Sequence, residues 1–402
     1  MTEPELRSLD HPSEGVPDVV TTAAGVAQAA QELAAGTGPV AVDAERASGY
    51  RYSARAYLIQ LRRKGSGTFL IDPIGVRIEE FAPLAEALRE PEWILHSADQ
   101  DLPGLAELGL VPKRIFDTEL AGRLCGHERV GLAAMVANTL GFELKKGHGA
   151  ADWSQRPLPH EWLVYAALDV ELLIELRDQI AAELEEQGKT DWAAEEFDYE
   201  RLKPPPRHNP ERWRRTSQIH TLRKPRQLAA VRELWLARDE IARTRDIAPG
   251  RILPDAAIIQ AAVQDPQSAN DLRQLAVFGS PRQRRNTVAW LQALNRARAL
   301  DEDDLPPVSL PQIGPPPANR WARRNPEAAD RLTAARTELM ALSEEVKVPL
   351  ENLVSPELVR RLCWDWSPTT DPAQYIDETF AAGGARQWQR QLTVPRLAAA
   401  IG

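Results

Sequence analysis

The chain is 402 residues long, with a formal net charge of −9 at pH 7, 43% hydrophobic residues and 27% charged residues. These values are ordinary for a globular protein of two or three domains, each able to bury its own core. Two distant cysteines, Cys125 and Cys363, exclude a disulfide framework and a cysteine-rich zinc site. No apolar run reaches membrane-spanning length and the N-terminus has no signal-peptide stretch, so we expect a cytoplasmic protein without a membrane partner.

The N-terminal half of the sequence alternates between predicted strands and helices. Residues 1–17 are polar and contain Pro and Gly, so we expect them to be disordered. The predicted strands lie at 39–44, 57–63, 68–72, 93–97 and 114–116, and the predicted helices at 20–35, 77–89, 101–109, 117–125, 131–140 and 160–187. Three meandering strands followed by strand–helix alternation predict an α/β domain over 18–202, with a mixed sheet flanked by helices.

The C-terminal half is predicted to be helical and divided by proline-rich linkers. Three consecutive prolines in KPPPRHNPERW prevent helix continuation, which predicts a Pro/Arg-rich linker at 203–215. Helical periodicity covers 216–300 and again 319–402, and the acidic, proline-rich segment 301–318 is predicted to be an extended linker between them. IAPGRILPDAAI in the first helical segment aligns with VPLENLVSPELV in the second at an offset of 101 residues, which indicates that the two segments are related.

Four carboxylates in three separated segments are placed to meet at a common point. Asp43 and Glu45 lie two apart in PVAVDAE, so they project from the same face of a strand. Asp101 follows the predicted strand WILHS, and Tyr165 and Asp169 share one face of a helix. Four clustered acids repel one another unless cations lie among them, and Mg²⁺ and Mn²⁺ prefer oxygen ligands. We therefore interpret the set as a site for two divalent ions that acts on a phosphodiester.

The same residues carry a resemblance to a known family. VDAE, LHSADQDL and YAALD resemble the three exonuclease motifs of the DEDD superfamily, in its tyrosine-containing branch. The segments YLIQL, LIDP, IFDTELAGRLCG and DWSQRPL extend the similarity to the ribonuclease D family. QLAAVRELWLARDEIARTRDIAPGRILPDAAI resembles an HRDC domain, and the last helical segment resembles one more weakly. The resemblance implies a ribonuclease H-like exonuclease domain followed by two all-α HRDC-like domains.

The resemblance also implies an activity and roles for the site residues. The protein would be a metal-dependent 3′–5′ exoribonuclease that releases nucleoside 5′-monophosphates from 3′-hydroxyl RNA ends, such as those of tRNA precursors. Asp43 would bridge two ions, Mg²⁺ or Mn²⁺, while Glu45 and Asp169 complete the shell of one ion and Asp101 helps to hold the other. Tyr165 would orient the attacking water, since a phenol with a pKa of about 10 stays protonated at neutral pH. We expect the protein to act as a monomer.

Two other functions are compatible with these residues. A 3′–5′ DNA exonuclease of the same superfamily would use the same carboxylates, because discrimination between RNA and DNA needs a contact to the 2′-hydroxyl. A catalytically silent RNA-binding scaffold is the alternative from a different class. Inactive relatives usually lack one or more metal carboxylates, whereas all four are present here.

Four further residues are candidate substrate contacts. Arg46 follows the VDAE motif, where the family often has an apolar or aromatic residue that stacks on the terminal base. His96 ends a buried strand, where a core histidine is the plainer interpretation. Lys146 and His148 lie in the Gly-rich loop KKGHGAADW, which approaches the substrate in the family and is otherwise a connector. Asp117 is left outside the metal site because it most simply caps the helix that follows it.

The distribution of charge matters more than its negative sum. Residues 201–226 contain nine Lys or Arg residues and one acid, Glu211. This stretch, which also contains Trp213 and several prolines, favours contact with the backbone of single-stranded RNA, and a solvated linker is the plain alternative.

Overall fold

The computed structural model describes residues 6–145, 147–204, 209–311, 314–369 and 371–402. The chain divides into two units, one formed by residues 1–46, 55–204 and 312–402, and the other by residues 47–54 and 205–311. The sequence patterns divide the chain differently, because they separate 319–402 from the α/β domain and include 47–54 in that domain. Both differences arise from contacts between residues that are distant in the sequence.

A six-stranded mixed sheet organises the first unit, which confirms the predicted fold class. Its order is β2-β5-β4-β3-β6-β7, with β4 antiparallel to β3 and β5, and with β6 parallel to β3 and β7. β3 therefore lies near the centre of the sheet, between β4 and β6. The strands of the chain are β1 (Arg7–Leu9), β2 (Val19–Val20), β3 (Thr37–Glu45), β4 (Leu58–Lys64), β5 (Gly67–Ile71), β6 (Trp93–Leu95), β7 (Ile115–Asp117) and β8 (Phe142–Leu144).

The α-helices before residue 205 accompany this sheet and contribute to its hydrophobic core. They are α1 (Ala23–Ala35), α2 (Ala82–Ala87), α3 (Leu102–Ala106), α4 (Thr118–Cys125), α5 (Leu132–Leu140), α6 (His160–Glu171), α7 (Leu173–Glu186) and α8 (Thr190–Leu202). Helix α6 packs on β3, β4 and β5, while α7 packs on β3 and β6. The central strand is thereby covered by the helix that carries Tyr165 and Asp169.

The predicted disorder of residues 1–17 is wrong for the part that the structure describes. β1 pairs in parallel with β8, with Arg7 opposite Phe142 and Leu9 opposite Leu144. Farther along, the backbone N–H and the hydroxyl of Ser13 both donate to Oε1 of Glu171 at the end of α6, at 3.1 and 2.5 Å. A polar segment is thus ordered by hydrogen bonds to residues far away in the chain.

The long helix predicted over 160–187 is two helices. Leu172, with φ −110° and ψ 11°, leaves the helical conformation between α6 and α7. No glycine or proline marks this break in VELLIEL, so helical periodicity continues through it. The break separates Asp169, on α6, from the helix that follows.

Six helices form the second unit together with the segment 47–54: α9 (Pro225–Arg245), α10 (Pro249–Ile252), α11 (Asp255–Gln264), α12 (Ala269–Gln274), α13 (Pro281–Arg284) and α14 (Thr287–Ala299). Trp213, Phe278 and Trp290 are buried in its core. Trp213 lies in the predicted 203–215 linker, so this part of the linker packs into the core of the second unit.

The C-terminal segment repeats the helix pattern of the second unit. Its helices are α15 (Trp321–Arg324), α16 (Pro326–Val346), α17 (Leu350–Leu353), α18 (Pro356–Trp364), α19 (Pro372–Ala382) and α20 (Gln387–Ile401). α9 and α16 are both 21 residues long and begin 101 residues apart, and each ends at a left-handed residue, Asp246 or Lys347. Among the described residues, none of the helices is long and apolar enough to cross a membrane.

Candidate active site

Two sheet strands and one helix bring the predicted acids to the same edge of the sheet. Asp43 and Glu45 lie among the last three residues of β3, with Ala44 between them. β6 runs parallel to β3 and leads through a left-handed Ser97 (φ 65°) and a short 3₁₀ turn to Asp101, at the start of α3. The ends of neighbouring parallel strands meet at one edge, so Asp101 arrives beside the end of β3. Helix α6 supplies Asp169 from above the sheet.

Three of the four carboxylates lie together. One carboxylate oxygen each from Asp43, Glu45 and Asp169 falls within 4.8 Å of the others. Asp101 is buried and outside this close set of the described residues, although its charge acts on Glu45 and the charge of Asp43 acts on it. An all-oxygen donor set of this kind suits hard divalent cations such as Mg²⁺ or Mn²⁺.

Burial and mutual repulsion make these acids hard to ionise without cations. Burial raises the pKa of Asp43 to about 6, against the opposing effects of the Ala44 backbone N–H and Arg46. Burial, then the charges of Asp43, Asp169 and Asp101, raise the pKa of Glu45 to about 10. The pKa values of Asp101 and Asp169 are also raised well above their ordinary range, chiefly by burial. Positive charge placed among the carboxylates would reverse these shifts, so the site suits a cation electrostatically as well as chemically.

Tyr165 keeps its phenol proton beside the acids of the site. Its phenol lies within electrostatic reach of the Asp169 carboxylate, one helical turn away. Burial, then the charges of Asp169, Glu45 and Asp43, raise the pKa of Tyr165 well above its ordinary value. The phenol therefore keeps its proton at neutral pH, which rules it out as a general base there.

Arg46 brings positive charge to the site. Its Nη2 donates to Oε1 of Gln100 at 2.8 Å, which links the end of β3 to the turn before Asp101. The same guanidinium lowers the pKa values of Asp43, Glu45 and Asp101. Its predicted contact with the substrate stays a prediction, and the structure adds an electrostatic and a structural role.

His96 faces a neighbouring helix. Its Nδ1 lies 2.9 Å from Oγ1 of Thr118, and that hydroxyl donates its own proton to the Leu95 carbonyl at 3.0 Å. Nδ1 must therefore carry the imidazole proton and donate it to Thr118. Burial lowers the pKa of His96 to about 4, so the ring is neutral at physiological pH. These contacts are those of a packed histidine, and its predicted contact with the substrate stays a prediction.

The Gly-rich loop before α6 lies against Tyr165. The His148 ring is 6.0 Å from the Tyr165 ring, edge to face, and 5.8 Å from Trp162. The buried Trp153 donates from Nε1 to the His148 carbonyl at 3.2 Å. His148 is thus placed beside the site, whereas Lys146 lies outside the described residues.

Two residues that the sequence analysis does not single out hold this loop in place. Arg156 donates from Nε and Nη2 to the two carboxylate oxygens of Asp72, at 2.5 and 2.7 Å. It also donates to the carbonyls of Tyr57 and Trp153, each at 2.7 Å. Both residues belong to segments of the family resemblance, LIDP and DWSQRPL, but their pairing needs the fold to be seen.

Asp117 caps α4, as predicted, and it also organises the turn that leads to Asp101. It accepts from the backbone N–H groups of Glu119 and Leu120 at 2.9 and 3.2 Å. It accepts in addition from those of Ala98 and Ser97, at 2.7 and 3.2 Å. A cap on one helix thereby fixes the backbone just before a carboxylate of the site.

Comparisons with known proteins agree with this geometry. Residues 17–185 match a family model described as 3′–5′ exonuclease, residues 227–294 match HRDC domain, and residues 314–401 match 3′ to 5′ exonuclease C-terminal domain. The predicted second HRDC-like segment thus matches a different model from the first.

Similar proteins cover almost the whole chain. The ribonuclease D of Jannaschia sp. is 30% identical over 358 residues, which are 86% of this chain and 89% of that protein. A crystal structure of a protein from Bifidobacterium adolescentis has 39% identity and a TM-score of 0.90, and covers 99% of this chain and 100% of its own. Escherichia coli RNase D, described as an exoribonuclease involved in structured RNA processing, has 26% identity and a TM-score of 0.69, with 96% and 98% of the two chains covered.

Proposed function

Because this chain belongs to the ribonuclease D family and is a 3′–5′ exoribonuclease, we propose that it trims the 3′-hydroxyl ends of structured RNA, tRNA precursors among them. Nucleoside 5′-monophosphates leave one at a time. The observation that carries the proposal is the meeting of the Asp43, Glu45 and Asp169 carboxylates within 4.8 Å. The proposal includes a monomeric, cytoplasmic protein, and light scattering of the purified chain tests its oligomeric state.

The arrangement supports an assignment of the residues that would hold the cations. Asp43, Glu45 and Asp169 would hold divalent ions through their carboxylate oxygens, and Asp101 would help to hold them. Cations bound there, Mg²⁺ or Mn²⁺, supply activation of a water and stabilisation of the charge on the leaving 3′ oxygen.

The remaining side chains orient the attacking water, neutralise charge on the terminal phosphate and border the last nucleotide. The protonated phenol of Tyr165 orients the attacking water beside the Asp169 carboxylate. Arg46 adds positive charge at the end of β3, beside the path of the terminal phosphate. The loop that carries His148 borders the Tyr165 ring and limits the space for the last nucleotide.

Digestion of three matched single strands tests the proposal: an RNA with a 3′-hydroxyl, the same RNA with a 3′-phosphate, and the corresponding DNA. Each is incubated with Mg²⁺, Mn²⁺ or a chelator. We expect mononucleotides from the 3′-hydroxyl RNA with either cation and none with the chelator. Faster cleavage of DNA would favour a DNA exonuclease, and RNA binding without nucleotide release would favour a silent scaffold.

A matched pair of variants assigns the chemistry to the site. Asp169→Asn should abolish nucleotide release and leave the fold intact. Asp178→Asn, on an exposed carboxylate of α7, should keep wild-type activity. Comparison of a tRNA precursor with a short oligonucleotide then tests the preference for structured RNA.

A further inference from the structure

Gln60 is a buried amide with no apparent partner. It lies in the middle of β4, with a side chain that is 0% exposed. Neither Nε2 nor Oε1 has a hydrogen-bond partner among the residues that the structure describes. A buried amide without hydrogen bonds destabilises a folded protein, and an apolar residue of similar size would avoid that cost.

The sheet register places Gln60 beside the active site. It is the direct cross-strand partner of Asp43 in the antiparallel β3–β4 ladder. Directly opposed residues of an antiparallel pair project from the same face, with Cβ atoms about 4.5–5.5 Å apart. Two residues along β4, Leu58 is opposite Glu45 on that same face. The amide therefore shares the face of the sheet that carries both acids of β3.

The neighbours of Gln60 on β4 and β5 do not supply a hydrogen-bond partner for its amide. On β5 its cross-strand partner is Leu70, which is apolar and buried. Arg62, two residues farther along β4, is occupied with Glu14 and Thr68, to which it donates at 2.8 and 2.7 Å. Helix α6, which carries Tyr165 and Asp169, covers these strands. Of its two cross-strand partners, Asp43 is therefore the one that offers the amide a polar group.

We propose that Gln60 is a positioning residue for Asp43, an inference that rests on the proposed function. When cations occupy the site, Nε2 donates to the carboxylate oxygens of Asp43 and fixes the orientation in which this residue would hold them. Oε1 accepts from an ordered water of the same site. Carboxylates that bind metals are commonly held by such outer hydrogen bonds, whose loss lowers metal affinity or activity about 10–100-fold.

Two variants of Gln60 and one control test this role. Gln60→Leu removes both polar atoms at similar volume, and Gln60→Met is a more flexible substitute if the leucine variant does not fold. Thr139→Val is the matched control, because the Thr139 hydroxyl on α5 is likewise buried without a partner among the described residues. Three quantities are measured: the Tm in chelator, the Mn²⁺ affinity by electron paramagnetic resonance, and the kcat and KM on a short RNA.

We expect the Gln60 variants to keep or raise the Tm in chelator, because the unpaired amide is gone. Their Mn²⁺ affinity should fall about 10–100-fold, and kcat should fall while KM changes little. Thr139→Val should leave Mn²⁺ affinity and kcat unchanged. Mn²⁺ affinity within about twofold of wild type in the Gln60 variants would overturn the proposal, whatever happens to the Tm. Failure of the wild-type protein to release nucleotides would count against the proposed function instead, since Mn²⁺ binding is read separately.

Discussion

At the scale of single residues, Glu45 serves the proposed chemistry at a cost to the stability of the cation-free protein. Its pKa rises from 4.5 to about 10 on folding, first through burial and then through the neighbouring acids. A group whose pKa is raised by folding contributes stability that is fully present below the unfolded pKa and lost as the pH rises through the folded value. The cation-free protein should therefore lose stability from this residue between about pH 4.5 and pH 10.

The variant Glu45→Gln tests this cost, because an amide cannot ionise. In chelator at pH 7 we expect the variant to have a higher free energy of unfolding than wild type, by up to about 3 kcal/mol. The gain should vanish near pH 4.5, and nucleotide release should be lost at every pH. Urea unfolding of both proteins in chelator, between pH 4.5 and pH 7, measures the difference in free energy of unfolding. A variant that is less stable than wild type throughout would mean that the Glu45 carboxylate stabilises the cation-free site.

His96 changes the stability with pH in the opposite direction to Glu45, because its contribution is lost as the pH falls. Burial lowers its pKa from 6.5 to about 4, so the unfolded chain takes up a proton in this window while the folded protein does not. The stability due to the neutral ring is fully present above pH 6.5 and is lost as the pH falls towards about 4. Gln at this position would remain neutral and could still donate to Thr118.

We therefore expect wild type to lose up to about 3 kcal/mol more free energy of unfolding than His96→Gln between pH 6.5 and 4. Parallel urea titrations of the two proteins measure the difference. Identical slopes would show that the ring is protonated in the folded protein too. The KM for a short RNA separates packing from substrate contact, since only a contact with the RNA would raise KM in the variant.

At the scale of the elements, the ion pair of Arg156 and Asp72 connects the Gly-rich loop to the end of β5. Asp72 is buried and Arg156 is partly exposed, at 8% and 29% of the side chain, so solvent reduces the value of the pair below that of a fully buried one. Arg156→Met should lower the free energy of unfolding by about 2 kcal/mol, mainly because it leaves the Asp72 carboxylate buried without its partner. It should also raise the KM for RNA, because the loop with His148 is released.

Urea unfolding and steady-state kinetics check this prediction. Arg77→Met is the control, because Arg77 forms an exposed ion pair with Glu80 and its loss should have no measurable effect on either quantity. An Arg156→Met protein with wild-type stability and KM would mean that the carbonyl contacts and the packing of Trp153 hold the loop without the ion pair.

The same scale shows which parts of the fold the sequence could predict. β3, β4 and β5 are found within two residues of the predicted bounds, because apolar runs and the Gly65–Gly67 turn are local features. β1 and β8 have three residues each and depend on pairing across more than 130 positions, which no local pattern reveals. The break at Leu172 is likewise a tertiary effect, since its sequence remains helical in character.

Some residues of the candidate site could likewise be predicted from the sequence, and others could not. Asp43, Glu45, Tyr165 and Asp169 could be selected because strand and helix periodicities place them on defined faces. Gln60 is linked to the site only by the register of β3 and β4, which places it opposite Asp43 and which the sequence does not specify.

At the scale of the whole molecule, the C-terminal segment is part of the catalytic unit. Trp388 on α20 stacks on Trp192 of α8, with ring centroids 5.1 Å apart, and its Nε1 donates to Oε1 of Glu196 at 2.8 Å. Arg386 donates to the same oxygen at 2.7 Å. Leu342, Leu353 and Trp388 belong to the core that surrounds the sheet. Truncation before this segment would therefore expose apolar surface of the exonuclease domain, and a loss of activity in such a protein would say little about RNA binding.

The segment 47–54 also shows that the boundaries of the units do not follow the order of the sequence. It follows Glu45 and Arg46 directly, yet it belongs to the second unit. The Asp246 carboxylate accepts from the backbone N–H groups of Tyr52 and Ser53 at 3.2 and 2.9 Å. Within the same unit, the backbone N–H of Ala248 donates to the Tyr50 carbonyl at 2.9 Å. The backbone that leaves the active-site strand is thus anchored on the HRDC helices.

Asp246→Ala in the full chain tests whether this anchor supports catalysis. We expect kcat on a short RNA to fall by up to about tenfold, because small displacements of reacting groups are costly. Asp265→Ala is the matched control: Asp265 also ends a helix in the left-handed conformation, with φ 45° against 47° for Asp246, but it pairs with Arg298. Equal losses in the two variants would point to general destabilisation of the helical unit. A loss confined to Asp246→Ala would show that the HRDC helices act on the chemistry through the segment 47–54 as well as through any RNA that they bind.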